Sequence, residues 1–287
     1  MNKKLPLIIF CLVFLTGLLW FLQTEHKVSE SITYFPIDET ITFTDAKTEI
    51  KATKEKENTI KLEVHTFSNS DQETFLRQDI TFIYQNGRLI GSSNQWRENS
   101  KLLKQRKKIT LKEPSLIEAL SFHHAEIHKD GNIFSAQSIS NDKMYVFFQN
   151  NKGSYYFNTA GNDLEKIWQE KLDARANKVI MDSLKKATDT FQLNLDYFTV
   201  LSLMDLPNYA TKPLPNFSQQ QTNKLIGQLS EGIYKNYFLG IRKKDGTFIK
   251  PLGSTIPFIL LSKNKQSIYV VFETKEGESI LLKQTIQ

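Results

Sequence analysis

Residues 79–92 read DITFIYQNGRLIGS, and this stretch is a hairpin in miniature. Ile80, Phe82 and Tyr84 alternate with polar neighbours and lead into Asn86-Gly87, a dipeptide that readily takes the positive φ values of a tight turn. The same period of two extends upstream. Ile41 and Phe43 alternate with threonines, and Ile60, Leu62 and Val64 alternate with Lys61, Glu63 and His65. Such patterns predict half-buried strands with one wet face. Residues 54–58, KEKEN, lie between those two runs as a solvated turn.

Downstream, Lys101 to Lys108 reads KLLKQRKK, the densest positive patch of the chain. Glu113-Pro114-Ser115 then predicts the start of a short helix, with proline in its first turn and Leu116, Ile117 and Leu120 on its buried side. Strands follow near 123–128, 132–139 and 143–149, the first two joined at Lys129-Asp130-Gly131. Tyr155-Tyr156-Phe157 continues the sheet.

At Asn162-Asp163 the period lengthens to 3.6. Leu164, Trp168, Leu172, Ala176, Val179, Ile180, Leu184, Ala187 and Phe191 recur three or four apart. That spacing predicts one amphipathic helix capped by Asp163, long enough to span a sheet face or bridge two sheets. Residues 206–217 carry Pro207, Pro213 and Pro215 and read as a loop. Ser218 caps a second helix to about Lys235. Strands near 237–242, 247–250, 255–262 and 267–273 close the chain, with one more near 279–285. Lys129-Asp130-Gly131 before Met144–Phe148 is echoed by Lys244-Asp245-Gly246 before Ile268–Phe272, which admits two related helix-plus-sheet units.

The N-terminus carries a different signal. Residues 5–22, LPLIIFCLVFLTGLLWFL, are uninterrupted by charge and follow Lys3 and Lys4. Eighteen residues of helix span about 27 Å, close to the hydrocarbon thickness of a bilayer. The expectation is a cytoplasmic tail at 1–4, a single transmembrane anchor at 5–22 and a polar stalk at 23–38. A β-rich exported unit at 39–158 and an α+β exported unit at 159–287 follow. A cleaved signal peptide is the rival reading, but no A-x-A-like triplet follows the apolar run. The expected fold class is therefore α+β: a signal-anchored, single-pass cell-membrane protein with an extracytoplasmic domain of antiparallel sheet and amphipathic helices.

At 40% hydrophobic and 24% charged residues, the composition is that of a globular chain. The single cysteine, Cys11, lies in the apolar run, so the remainder has no disulfide, thiolate ligand or cysteine nucleophile. A formal net charge of +6 suits an anionic surface or polymer. An exported location argues against nucleic acid as a partner.

Two constellations could carry chemistry. His124, Glu126 and His128 share one face of a strand, where two imidazoles and a carboxylate suit zinc or another divalent cation with an open position for water. Lys101, Lys104, Arg106, Lys107 and Lys108 could contact lipid headgroups or an anionic envelope polymer, or could protect a sheet edge from unwanted pairing. The Ser-x-x-Lys strings at Ser183–Lys186 and Ser262–Lys265 lack the companion elements of a serine hydrolase. No phosphate-binding glycine loop or dinucleotide fingerprint is present. The leading expectation is a non-enzymatic binding, regulatory or assembly protein of the cell envelope, with a protein partner and no resident cofactor. Its alternatives are a metal-dependent hydrolase at His124, Glu126 and His128, and an anionic-ligand binder at the 101–108 patch.

Overall fold

The computed structural model describes residues 35–56, 59–149, 153–243 and 246–286. Strand accounts for 54% and helix for 24%, so the α+β expectation is corrected to a mostly β protein built on a nearly closed, barrel-like sheet. Six strands form it: β1 (Phe43–Lys56), β2 (Thr59–Gln85), β3 (Arg88–Leu111), β4 (Ser115–Lys129), β5 (Asn132–Gln149) and β6 (Gly153–Phe157).

The 27-residue β2 is the spine. Its first half pairs with β1 on one side and with the second half of β3 on the other. Its second half pairs with the first half of β3 and with β4. The β2–β3 register breaks between Asn69 and Thr74. Before the break the even residues Ile60, Leu62, Val64, Thr66 and Ser68 face the barrel interior; after it the odd residues Arg77, Asp79, Thr81 and Ile83 do. The strand bends there, as irregular ladders do. The bend carries β1 around to β5, where Thr48 bonds Ser140 and the Ile50 amide donates to Asp142 at 2.7 Å.

Beyond β6 lies α1 (Asp163–Phe191), capped by Asn162, one residue earlier than the sequence predicts. Then come β7 (Phe198–Ser202), a 3-10 turn at Leu203–Tyr209 and α2 (Gln219–Ile233) with its Ser218–Gln221 capping box. The short pair β8 (Ile241–Arg242) and β9 (Phe248–Ile249) precedes β10 (Phe258–Ser262), β11 (Ser267–Glu273) and β12 (Ser279–Thr285). Strands β7, β10, β11 and β12 make a second antiparallel sheet in the order β12-β11-β10-β7. Helix α1 bridges the two sheets. Leu172 and Ala176 pack on Tyr145, Phe147 and Phe157, whereas Leu184 and Ala187 pack on Phe258, Leu260 and Val271.

The hairpin at 79–92 reaches into this second layer. Ile80, Phe82 and Tyr84 share a core with Leu225, Leu229, Tyr237, Ile259 and Phe272, each such side chain contributing about 1.5–3 kcal/mol on burial. The Leu89 amide donates to Ser254 and Ile256 donates to Gly87, so backbone bonds join hairpin and second sheet. Gly87 adopts φ +82°, and a Cβ there would meet Ile180 at 3.0 Å and the Ala176 carbonyl at 3.1 Å. Gly87→Ala is therefore expected to destabilise by more than about 1 kcal/mol, measurable as a lower urea midpoint at unchanged slope.

Three expectations need correction. The short helix at 113–120 is strand β4, whose two faces are both covered, so its apolar residues are nearly continuous and imitate a helix stripe. The two related helix-plus-sheet units fall with it, because the first would need a helix ahead of Lys129-Asp130-Gly131, where strand β4 runs instead. The membrane reading is also overturned. The anchor at 5–22, the tail at 1–4 and residues 23–34 of the stalk lie outside the described residues, among which no helix is long and apolar enough to cross a membrane. The longest, α1, sets Lys166, Glu170, Lys171, Lys178 and Asp182 among its apolar side chains. Cell-membrane localisation, single-pass topology and the signal anchor leave the account. Residues 35–38, assigned to the stalk, run along β5: Asp38 donates to Ser135, and Ser135 donates to Pro36.

Candidate functional site

The barrel interior is stratified. One end is apolar, filled by Ile50, Ile60, Leu62, Val64, Ile83, Ile117 and Met144. Next comes a layer of hydroxyls, in which Thr48 donates to Ser121 at 2.7 Å, Thr66 bonds Thr81 at 2.6 Å and Thr81 bonds Ser121 at 2.9 Å. Beyond it the layer is ionic. Arg77, Asp79 and His123 are fully buried. Ser68 Oγ accepts from Arg77 Nη2 at 2.6 Å and donates to Asp79 Oδ2 at 2.8 Å, linking the two charges. Arg77 Nη1 donates to Ser70 Oγ and to the Lys101 carbonyl, and the guanidinium lies 4.6 Å from the centre of the Phe43 ring. Burial pulls the Arg77 guanidinium below its ordinary range, and Asp79 opposes that fall.

His123 sits between Asp79 and Ser140. Its Nε2 is 2.8 Å from Ser140 Oγ, and its Nδ1 is 3.2 Å from Asp79 Oδ2, near in distance but outside hydrogen-bond geometry. The order serine, imidazole, carboxylate is that of a nucleophilic triad, yet the setting is structural. His123 and Asp79 have no exposed side-chain surface, and Ser140 Oγ is already bonded to Thr48 across the β1–β5 seam. The nearby cavity is lined by Ser138 and Ile139, not by Ser140.

This ionic layer is absent from the sequence reading, which takes the polar residues alternating with Ile80, Phe82 and Tyr84 as a wet face. Arg77, Asp79 and Thr81, each two apart, were the available signal.

The sequence-predicted residues fall elsewhere. His124, Glu126 and His128 do share the outward face of β4, past the point where the second layer covers it. Each imidazole Nε2 is 3.8 Å from a different Glu126 oxygen, and Phe75 stacks on His128 at 3.8 Å. The neighbouring His124 imidazole, with His128 adding to it, holds the Glu126 carboxyl below its ordinary range, against the opposing effect of burial. Among the described residues no group of three His, Cys, Asp or Glu could hold a metal ion. Strand geometry gives the reason. Four residues of β-strand separate the histidine Cα atoms by about 13 Å, whereas zinc needs both nitrogens within about 2.1 Å of one point.

The basic patch divides by strand parity. Lys104, Arg106 and Lys108 point outward from β3, opposite Phe67, His65 and Glu63 of β2, which lie opposite Lys47, Glu49 and Lys51 of β1. Lys101 and Lys107 belong to the other row. Lys101 Nζ donates to the Asp71 carbonyl, and Lys107 lies toward Gly91. On the outward face Glu63 takes Arg106 and Lys108 at 3.4 Å each and His65 at 3.2 Å, and Lys104 stands 5.2 Å over the Phe67 ring.

No family model and no curated protein matches the chain. Structural likenesses are distant. A β-glucuronidase of Bacteroides uniformis aligns at 13% identity and a TM-score of 0.25, over 38% of this chain and 14% of that one. A second B. uniformis β-glucuronidase structure, covalently bound to cyclophellitol-6-carboxylate aziridine, aligns at 12% identity and 0.26, over 66% and 26%. An Arabidopsis thaliana protein solved in solution aligns at 9% identity and 0.26, over 45% and 95%. The chain thus spans a small part of either glucuronidase, and scores this low carry no argument about fold or activity.

Proposed function

We propose that this chain is a non-enzymatic binding domain whose ligand is an extended polyanion lying across the outward face of β1, β2 and β3. The observation that supports it is the cation array on that face. Lys47, Lys51, Lys61, Lys104, Arg106 and Lys108 stand there against Asp45, Glu49 and Glu63. Six positive charges against three negative ones leave an excess of three. Lys104, Arg106 and Lys108 repeat along the strand at about 6.8 Å, a spacing that an extended chain of phosphates or carboxylates can follow. Phe67 adds an apolar surface within the array. Because Glu63 is shared among Arg106, Lys108 and His65, it holds those side chains in one plane while neutralising only part of their charge.

The residues of the ionic interior support a structural role, since Ser68 ties Arg77 to Asp79 and these side chains, with His123, are fully buried. A metal-dependent reaction at His124, Glu126 and His128 draws no support from a row of side chains spread along one strand.

Long-chain polyphosphate is a suitable probe. The full chain is expected to bind it with an affinity that falls steeply as salt rises. The triple variant Lys104→Gln, Arg106→Gln, Lys108→Gln should lose about ten-fold or more, at roughly 0.5–1 kcal/mol per exposed charge. The double variant Lys101→Gln, Lys107→Gln should lose much less. Equal losses in the two variants, or binding insensitive to salt, would refute a face-specific site.

A further inference from the structure

A recess lined by none of the residues of the cationic face lies where the chain enters β1. We infer that it is a binding site for a small organic cation with an apolar body, such as an arylalkylamine. The cavity, about 380 Å³, lies between the chain entering β1, residues 136–139 of β5, the 3-10 turn at 203–209 and α2. That volume is at the lower end of the range for small-molecule sites, enough for a ring and a short chain.

Its walls are tied to one another. Gln137 Nε2 of β5 donates to the Asn223 carbonyl of α2 at 2.7 Å, and Asn141 Nδ2 donates to the Met204 carbonyl of the turn at 3.2 Å. The Asp38 amide donates to Ser135 of β5 at 2.9 Å. Three elements are thus held to β5 around the space by the protein's own hydrogen bonds, so little ordering cost remains for a ligand.

The lining selects the chemistry. Ile41, Phe43, Ile139, Leu206 and Ile226 give an apolar bed. The charged lining residues, Asp38 and Glu39, are both acidic and stand together on the segment entering β1. Thr40 donates twice to Asp38 Oδ1, from its amide at 2.9 Å and from its hydroxyl at 2.6 Å, fixing the carboxylate at the cavity wall. The Thr40 bonds hold the Asp38 carboxyl below its ordinary range, keeping it ionised, with a smaller contribution from Lys129, which lies outside this lining. Ser138 and Asn223 supply neutral polar groups. An anion would meet two carboxylates here, and a wholly apolar molecule would leave them unanswered.

The test compares 4-phenylbutylammonium with 4-phenylbutyrate by ligand-observed NMR and calorimetry on the full chain. The ammonium probe is expected to bind about five-fold or more tightly than the carboxylate, the scale of one or two part-exposed ion pairs. Asp38→Asn with Glu39→Gln should erase that preference while keeping the fold, because asparagine still accepts the Thr40 bonds. Ala210→Trp, at an exposed lining position, should weaken both probes by filling the recess. Melting temperatures of the variants near that of the parent verify folding. Equal affinity for the two probes, saturable binding of neither, or unchanged binding in Ala210→Trp would each overturn the assignment. Polyphosphate binding by the same variants is expected to be unchanged, which separates this site from the cationic face.

Discussion

Asp79→Ala is expected to lower the stability of this protein by about 3–5 kcal/mol, the scale for leaving a buried charge without its partner. The carboxylate lies in the barrel interior, where Ser68 donates to both of its oxygens and His123 Nδ1 lies 3.2 Å away. Removing it strands the Arg77 guanidinium, which keeps its donations to Ser70 and the Lys101 carbonyl but loses the negative charge beside it. Ser68 loses its acceptor as well, and His123 loses the carboxylate beside it. For a domain with a total stability of about 5–15 kcal/mol this is a large fraction, equivalent to a fall in Tm of about 10 °C. Arg77→Met in the Asp79→Ala background should restore part of the loss, because the stranded charge is then gone. A double-mutant cycle in urea measures the coupling. Additive losses would show that the two charges do not depend on each other.

Glu118→Gln is expected to do the reverse, and only at high pH. Glu118 faces the second layer from β4, beside Asp173 of α1 and Asp205 of the 3-10 turn. Burial pushes its carboxyl up to about 7, with Asp173 and Asp205 adding to the rise and Lys143 opposing it. A folded-state pKa above the unfolded value means that the folded protein holds the proton more tightly. Below about pH 4.5 the carboxyl is neutral in both states and costs nothing. Between there and about pH 7 stability falls as pH rises, because folding must then bury a charge or take up a proton. Glutamine removes that dependence. The variant should match the parent near pH 4 and exceed it by about 2 kcal/mol above pH 7, the partial exposure of the side chain reducing the full linkage value. Urea unfolding of the two proteins at pH 4, 6 and 8 reads the difference. A gain that stays constant across pH would place its origin in packing and not in titration.

The two predictions concern polar groups on the same pair of strands, and neither was legible in the sequence. Asp79 alternates with apolar residues, as wet-face residues of a sheet do, and Glu118 sits inside the apolar run 116–120 that imitates a helix stripe. Alternation identifies two faces of a strand, but it does not say what covers each one. Here the second half of β2 and most of β4 are covered twice, by the barrel interior and by the second layer. Polar side chains on either face, Asp79 toward the interior and Glu118 toward the second layer, are consequently drawn out of water.

Local chemistry determined a good deal by itself. Asn86-Gly87 and Asp130-Gly131 take positive φ at both positions, as their side chains allow. The 3.6-residue period that begins at Asn162-Asp163 gives the helix Asp163–Phe191, and Ser218 with Gln221 closes a capping box. Strands β11 and β12 occupy 267–273 and 279–285 as the alternation predicts. All of these are settled by residues within a turn or two of one another.

Tertiary structure decided the rest. The register break between Asn69 and Thr74 changes which alternate residues of β2 face inward, and so which polar side chains enter the barrel. Thr48 and Ser140, 92 residues apart, meet only because that bend brings β1 to β5. Residues 115–120 became strand because both faces found cover, where their local pattern equally suited a helix. Parity along β3 separated Lys104, Arg106 and Lys108 from Lys101 and Lys107, dividing a patch that is continuous in sequence. The physical reason is common to all four cases. Periodicity is a property of one segment, whereas burial belongs to a pair of surfaces, and only the closed sheet determines which surfaces meet.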